Sequence, residues 1–268
     1  MGVLNITPDS FSDGGEYLDS QDAVAHALQL ERDGADILDI GGESTRPGAA
    51  PVPAEEEMRR ILPAIKSLCS ELRIPISVDT QKADVARAAL EAGAEIVNDV
   101  SGLRTDPALG EVVRRMRAPL ILMHMPGTPQ TMQRGPFARD AMRDALAGLR
   151  HSVARARRAG LTKSQLLLDP GIGFGKKFEQ NFEILARLPE LARLTCPIVV
   201  GPSRKAFLGK VLAAPGGPNA PPEERLLGTA ATVTAAILGG AHIVRVHDVA
   251  EMVRVARVAD HIVNAKHA

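Results

Sequence analysis

The chain contains no tryptophan, and aromatic residues make up 3% of its 268 positions. That leaves too few flat side chains for a base-stacking platform of the kind that holds single-stranded nucleic acid. An excess of either charge is missing as well. The 32 basic and 32 acidic residues cancel to a formal net charge of zero, which removes any global electrostatic case for nucleic acid or an anionic membrane surface. Any anion site must be local. Cysteine occurs twice, as Cys69 and Cys196, without metal-ligand spacing. Both read as buried, reduced thiols of a cytoplasmic protein rather than as a disulfide. The opening MGVLNITPDSF has no basic region leading into an apolar run, and no later segment approaches the roughly 20 apolar residues of a membrane helix. The expectation is a soluble protein.

What is there is a repeating alternation. Short β-branched runs recur as VLNI near the start, ILDI at 37–40, ISV at 76–78, IVNDV at 96–100, LILMH at 120–124, LLLDP at 166–170, IVVG at 198–201 and IVRV at 243–246. These are continuous apolar runs rather than alternating ones, the pattern of parallel strands covered on both faces. Between them lie helical patterns. Met58, Ile61, Leu62, Ile65, Leu68, Cys69 and Leu72 fall at i, i+3, i+4, i+7 spacing and predict one amphipathic helix. Ser20 reads as the N-cap of DAVAHALQLERDGA and Gly34 as its stop, and LEAGAE and RRAGL repeat that punctuation. Eight such units predict a single-domain (β/α)₈ TIM barrel of the α/β class over residues 1–268, with APGGPNAPPEE at 214–224 as a flexible loop.

In such a barrel the C-terminal ends of the strands converge on one mouth. Read in order, those ends supply Asn5, then Glu43 to Arg46, Asp79, Asn98, His124, Asp169, Ser203 to Lys205, and Arg245 with His247. The opposite ends are bland. Asp79, Asn98 and Asp169 would project into a low-dielectric mouth, where carboxylates are costly to hold ionised unless they meet donors. A flat heterocycle with an amino-amidine edge, such as a pterin or guanine, supplies paired N–H donors; the alternative is that Asp79 or Asp169 caps the following helix. Strand eight closes on strand one, so Arg46, Arg245, His247 and Asn5 can surround a diphosphate, with Asn5 giving a neutral oxygen to a hard cation such as Mg²⁺. The bland alternative for RVHD is an Arg245–Asp248 ion pair. Phe174, held between Gly173 and Gly175, has little packing reason to sit in a loop and could cover a flat ligand.

Taken in order, NITPDSFSDGG, DIGGESTRPGA, SVDT, VNDVSG, LMHMPGTPQTM, LLLDPGIGFGK, GPSRKAFLG and GAHIVRVHDV resemble the dihydropteroate synthase family over essentially the whole chain. The resemblance implies a (β/α)₈ barrel, usually a homodimer. It also implies an enzyme that joins 6-hydroxymethyl-7,8-dihydropterin diphosphate to p-aminobenzoate, releasing pyrophosphate in a Mg²⁺-dependent step of folate synthesis. Carried over by position, the pterin pocket falls on Asp79, Asn98, Asp169 and Lys205. The metal and diphosphate site falls on Asn5, Arg46, Arg245 and His247. The p-aminobenzoate pocket, where sulfonamides bind in the family, falls on Thr45, Arg46, Pro47, Phe174, Ser203 and Lys205.

Members of the family usually carry a short lead before the first strand, whereas Met1 here stands directly at GVLNIT. DPGIGFGKK has no inserted residue, so a sulfonamide-sensitive form is expected. Two rivals differ in what they need. A methyltetrahydrofolate:corrinoid methyltransferase would share the Asp/Asn/Asp set but not ESTRPG, SRK or the anion site. A silent pterin-binding module would not need Asn5, Arg46, Lys205 and His247 intact.

Overall fold

All eight apolar runs form parallel strands in the computed structural model, which describes residues 1–7 and 15–265. The strands are β1 (Gly2–Asn5), β2 (Leu38–Gly41), β3 (Ile76–Asp79), β4 (Ile96–Asp99), β5 (Leu120–Met123), β6 (Leu166–Asp169), β7 (Val199–Val200) and β8 (Ile243–Val244). β1 to β6 pair in chain order and β7 pairs with β8. Two seams close the ring. At one, the Leu168 amide donates to Pro197 O at 2.9 Å; at the other, Val3 donates to Val246 O at 3.1 Å and Val246 to Met1 O at 3.0 Å. The result is the predicted barrel.

Helices α1 (Gly15–Arg32), α2 (Ala54–Glu71), α3 (Ala83–Glu91), α4 (Ala108–Met116), α5 (Ala141–Arg158) and α6 (Phe178–Ala186) follow their strands singly. Two helices, α7 (Ala206–Leu212) and α8 (Leu226–Leu238), follow β7, and α9 (Val249–Asn264) follows β8. α7 is therefore an addition to the eight-unit count, built on the loop at the mouth. The Pro/Gly segment at 214–224 joins α7 to α8 and is held down rather than free, because Ala220 is buried, donates to Gly209 O and accepts from Arg225 Nε. α1 begins at Gly15, so Ser20 lies inside the helix and is not its cap. Residues 8–14 of the NITPDSFSDGG motif lie outside the described residues.

The α2 stripe packs as expected through Ile61, Ile65 and Leu68. Cys69, read as buried, is exposed, its thiol donating to Lys66 O. The stripe is wider than the buried arc it covers. Gly93 ends α3 at φ +117°, and a Cβ there would stand 2.6 Å from Cys69 Cβ, so the residue is fixed both by backbone and by close approach. On α9, Val249 and Met252 face the core.

Strand alternation divides the barrel interior into layers. Met1, Ile37, Ile96, Ile121, Leu167, Val199 and Ile243 form an apolar floor. Two residues beyond Ile37, Ile96, Ile121, Leu167 and Ile243 stand Asp39, Asn98, Met123, Asp169 and Arg245, with Ser77 level with Asp39 across the β2–β3 pair. The register aligns Asn5 with Gly41, Gly41 with Asp79 and Asp79 with Asn98, which brings these strand ends to one mouth. Ile65 is fully buried between α2 and the sheet. Ile65→Ala is expected to lower the unfolding free energy by about 2–5 kcal/mol, measured by chemical denaturation.

Candidate active site

The mouth holds a cavity of about 950 Å³, within the range of small-molecule sites. Ten of the twelve residues that the resemblance assigns to the pterin, diphosphate and p-aminobenzoate sites line it: Asn5 from β1, Thr45, Arg46 and Pro47 from the β2–α2 loop, Asp79 from β3, Phe174 from the β6–α6 loop, Ser203 and Lys205 from the β7–α7 loop, and Arg245 and His247 after β8. Asn98 and Asp169 do not line it. They are buried at 6% and 7% exposure, in the layer just beneath.

Arg245 organises that layer. It was grouped with the anion site, but its Nε donates to Asp39 Oδ2 at 2.6 Å and its Nη2 to Asp79 Oδ2 at 3.0 Å. The bland Arg245–Asp248 pair does not form; Asp248 pairs instead with Arg204. Asp39 also accepts from Asn98 Nδ2 at 3.0 Å, while its Oδ1 is buried without a hydrogen bond, as is Oγ of Ser77, its register partner. Two buried carboxylates thus share one guanidinium. Burial, followed by the Asp39 charge, pushes the Asp79 carboxyl up from 3.8 to about 8 against the pull of Arg245. Arg245 is buried too, yet Asp39 and Asp79 hold it above its ordinary value.

Asp169 accepts from the Gly171 amide at 2.6 Å. The capping alternative does not hold: Lys82 and Lys177 occupy the N-cap positions of the helices that follow β3 and β6, and Asp169 holds only the turn that leaves its strand. Burial raises its pKa. A Cβ on Gly171 (φ +71°) would stand 2.0 Å from His124 O, so only glycine lets the β6–α6 loop pass this close to the end of β5. Lys176 secures the same crossing: its Nζ donates to His124 O at 2.9 Å and lies 3.2 Å from His124 Nδ1, and burial lowers it to about 7. His124, a strand-end residue, is therefore occupied in holding the loop.

Phe174 is not a free cover. It packs against Val100, Met123, Met125 and Met132, and Lys205 Nζ sits 3.9 Å from its ring centroid, a cation–π contact. Burial and then Arg245 lower Lys205 to about 8. Ser203 Oγ accepts from the His247 amide at 3.1 Å and lies 3.0 Å from its Nδ1. Burial, with Arg245 next, lowers His247 to about 3, leaving a neutral imidazole at physiological pH. Arg46 stands exposed on its loop, whose tip is tied by the Gly48 amide to Pro129 O at 3.1 Å.

The reading of strand ends missed Asp39 and Lys176. Asp39 carried a signal, a carboxylate inside the otherwise apolar run ILDI. Lys176 carried none beyond its place in a glycine-rich loop.

The raised Asp79 pKa has a consequence for stability. A carboxyl lifted from 3.8 to about 8 on folding contributes stability that is complete below the lower value and is lost as pH rises through the upper one. Asp39, Arg245, Glu57 and Asp99 are the charges acting on it. Asp79→Asn cannot titrate and leaves Arg245 its bond to Asp39. Denaturation at pH 5 and pH 9 is expected to show the variant gaining on the parent as pH rises.

Residues 1–247 match the family described as pterin binding enzyme. Over 260 residues the chain is 50% identical to the dihydropteroate synthase of Synechocystis sp., covering 97% of this chain and 88% of that protein. The solved structure of Yersinia pestis dihydropteroate synthase with a sulfonamide drug superposes with a TM-score of 0.91 at 42% identity, covering 98% of this chain and 94% of that one. The Xanthomonas albilineans dihydropteroate synthase with 4-aminobenzoic acid gives 0.89 at 45% identity, covering 98% and 92%. The chain therefore belongs to the dihydropteroate synthases, the pterin-binding enzymes that condense 6-hydroxymethyl-7,8-dihydropterin diphosphate with p-aminobenzoate.

Proposed function

We propose that this protein makes 7,8-dihydropteroate by Mg²⁺-assisted loss of pyrophosphate from the dihydropterin diphosphate, followed by attack of the arylamine of p-aminobenzoate on the exocyclic methylene carbon. The observation that carries the mechanism is the shared guanidinium: a buried acidic floor lies directly below a rim of Asn5, Arg46 and His247 in one cavity. The C–O bond breaks, a C–N bond forms, and the amine loses one proton.

On this reading Asp79 and Asp169 accept the amino-amidine edge of the pterin, with Asn98 and Lys205 completing its contacts. Asp79 would exchange its proton and its Arg245 bond for two heterocycle donors. Arg245 can then keep Nε on Asp39 while Nη2 turns to the diphosphate. The carboxylates of Asp39 and Asp79 favour the cationic fragment left when pyrophosphate departs, and Arg46, Arg245 and His247 favour the leaving group. If the Ser203 hydroxyl donates to Nδ1, the neutral His247 ring carries its proton on Nε2 and offers it to the diphosphate. The arylamine is neutral at pH 7, so positioning between Thr45, Pro47, Phe174 and Ser203 matters more than a general base. The same pocket would admit a sulfonamide in competition with p-aminobenzoate, as the Yersinia pestis relative binds such a drug.

The residues present suit a hard divalent cation held chiefly by the substrate. Asn5 ends β1 and lines the cavity. No group of three His, Cys, Asp or Glu side chains among the described residues could hold an ion alone. Asn5 would hold Mg²⁺ together with phosphate oxygens and waters, and the ion would supply charge neutralisation on the leaving group.

A homodimer and a cytoplasmic location belong to the same proposal. Leu238 of α8 and Val258 and Ile262 of α9 expose apolar side chains that a second copy could cover; light scattering measures this. Cys69 and Cys196 are both free thiols, as a reducing compartment keeps them.

Incubation with the dihydropterin diphosphate, Mg²⁺ and labelled p-aminobenzoate is expected to yield dihydropteroate, and chelation of the cation to stop it reversibly. No product under any of these conditions would sink the reading. Arg46→Ala is expected to cut turnover by about 10²–10³ and to abolish ordered p-aminobenzoate binding, with pterin affinity nearly intact by calorimetry. Equal loss of both affinities would make the loop merely structural.

A further inference from the structure

The proposed mechanism gives no part to the glutamate that opens ESTRPG. Glu43 opens the β2–α2 loop, but its side chain does not line the cavity. Its Oε2 accepts from Lys82 Nζ at 2.5 Å, and its Oε1 accepts from the Val52 amide at 3.2 Å. One carboxylate thus ties the first residues of the loop to the last. Lys82 also donates to Glu57 of α2, which is fully buried and whose Oε1 has no hydrogen bond. Lys82 stands three residues beyond Asp79, at the start of α3. The three charges therefore connect the strand that carries the acidic floor to the loop that carries Thr45, Arg46 and Pro47.

The balance of charge makes the connection demanding. Two carboxylates share one ammonium, and Glu57 is wholly out of water. Burial works against the Lys82 charge, yet Glu43 and Glu57 hold its pKa above the ordinary value, so the cation persists. Removing one member of such a group leaves an uncompensated buried charge rather than a neutral gap. The loop is also anchored at its base by Arg60 Nη1 on Gly42 O at 2.8 Å and at its tip by the Gly48 amide on Pro129 O. Base and tip together fix the span that holds the three pocket residues.

We infer that Glu43, Lys82 and Glu57 act as positioning residues that set the geometry of the β2–α2 loop for the second, arylamine substrate. They touch neither substrate. The inference rests on the proposed reading of Thr45, Arg46 and Pro47 as the p-aminobenzoate wall. It separates the two halves of the site: a fault in the tether should be felt far more by the arylamine than by the pterin diphosphate, which Arg46 shares with Arg245 and His247.

The test compares the parent with Lys82→Met and with Glu43→Gln, which keeps an acceptor for Val52 but loses the charge opposite Lys82. Steady-state kinetics are expected to show KM for p-aminobenzoate raised roughly 10–100-fold in Lys82→Met and less in Glu43→Gln. KM for the dihydropterin diphosphate should rise far less, since Arg46 is only one of its contacts, and kcat should fall by less than in Arg46→Ala. Hydrogen exchange of the substrate-free protein reads the tether without any turnover: the Val52 amide is expected to exchange faster in Lys82→Met. A fall in melting temperature with both KM values rising together would reduce the cluster to a stability element and overturn the inference. Faster exchange at Val52 with KM for p-aminobenzoate unmoved would overturn it too, as would unaltered exchange in both variants. If the parent made no dihydropteroate, the functional reading would fall while the exchange measurement still decided the tether.

Discussion

The arginine at the end of β8 lies between two carboxylates on β2 and β3, and the rest of the site is arranged around that sharing. Asp39 and Asp79 both face the barrel interior because strand alternation puts them there. Neither could remain close to the other without a cation between them, and removing one partner of a buried charged pair costs about 3–5 kcal/mol. Arg245 supplies the cation, yet burial and then the Asp39 charge outweigh its pull, so Asp79 keeps a proton near neutral pH. The mouth is therefore floored by a buried acid that paired donors would ionise.

The same sharing explains the separation of the site into two halves. Asn98 hangs from Asp39, Arg245 is pinned by it, and Asp169 is fixed by the Gly171 amide. These groups are rigid because each is held from below by backbone or by another buried side chain. The β2–α2 loop instead stands above the mouth on charged and backbone anchors at its base and tip. On the proposed reading, a pocket for the pterin built into the barrel and a wall for p-aminobenzoate tethered above it follow from where each group is tied.

Much of this was legible from the order of residues. Eight apolar runs ending in polar residues marked both the barrel and its mouth, and the side chains nearest the strand ends reached the cavity. Asp39 was harder to see, because a run such as ILDI reads as hydrophobic through and through unless the inward parity of each position is known. Pairings across the barrel were not legible at all. Arg245 with Asp39 spans 206 positions, and Lys82 with Glu43 spans 39; nothing local announces either. Cys69 and Phe174 were misjudged for opposite reasons: a helical stripe can be wider than its buried arc, and a loop aromatic can have a methionine bed beneath it.

Phe174 and Lys205 are in contact, the ammonium lying 3.9 Å from the ring centroid, and on the proposed reading the lysine serves both substrates while the phenylalanine walls only one. That contact links two selective pressures. A substitution at Phe174 that shuts out a mimic of p-aminobenzoate also removes the face on which Lys205 rests and alters the environment of a cation facing the pterin. Escape from such a mimic at this position therefore carries a built-in burden on the natural reaction, and lineages that take it should acquire compensating changes near Lys205.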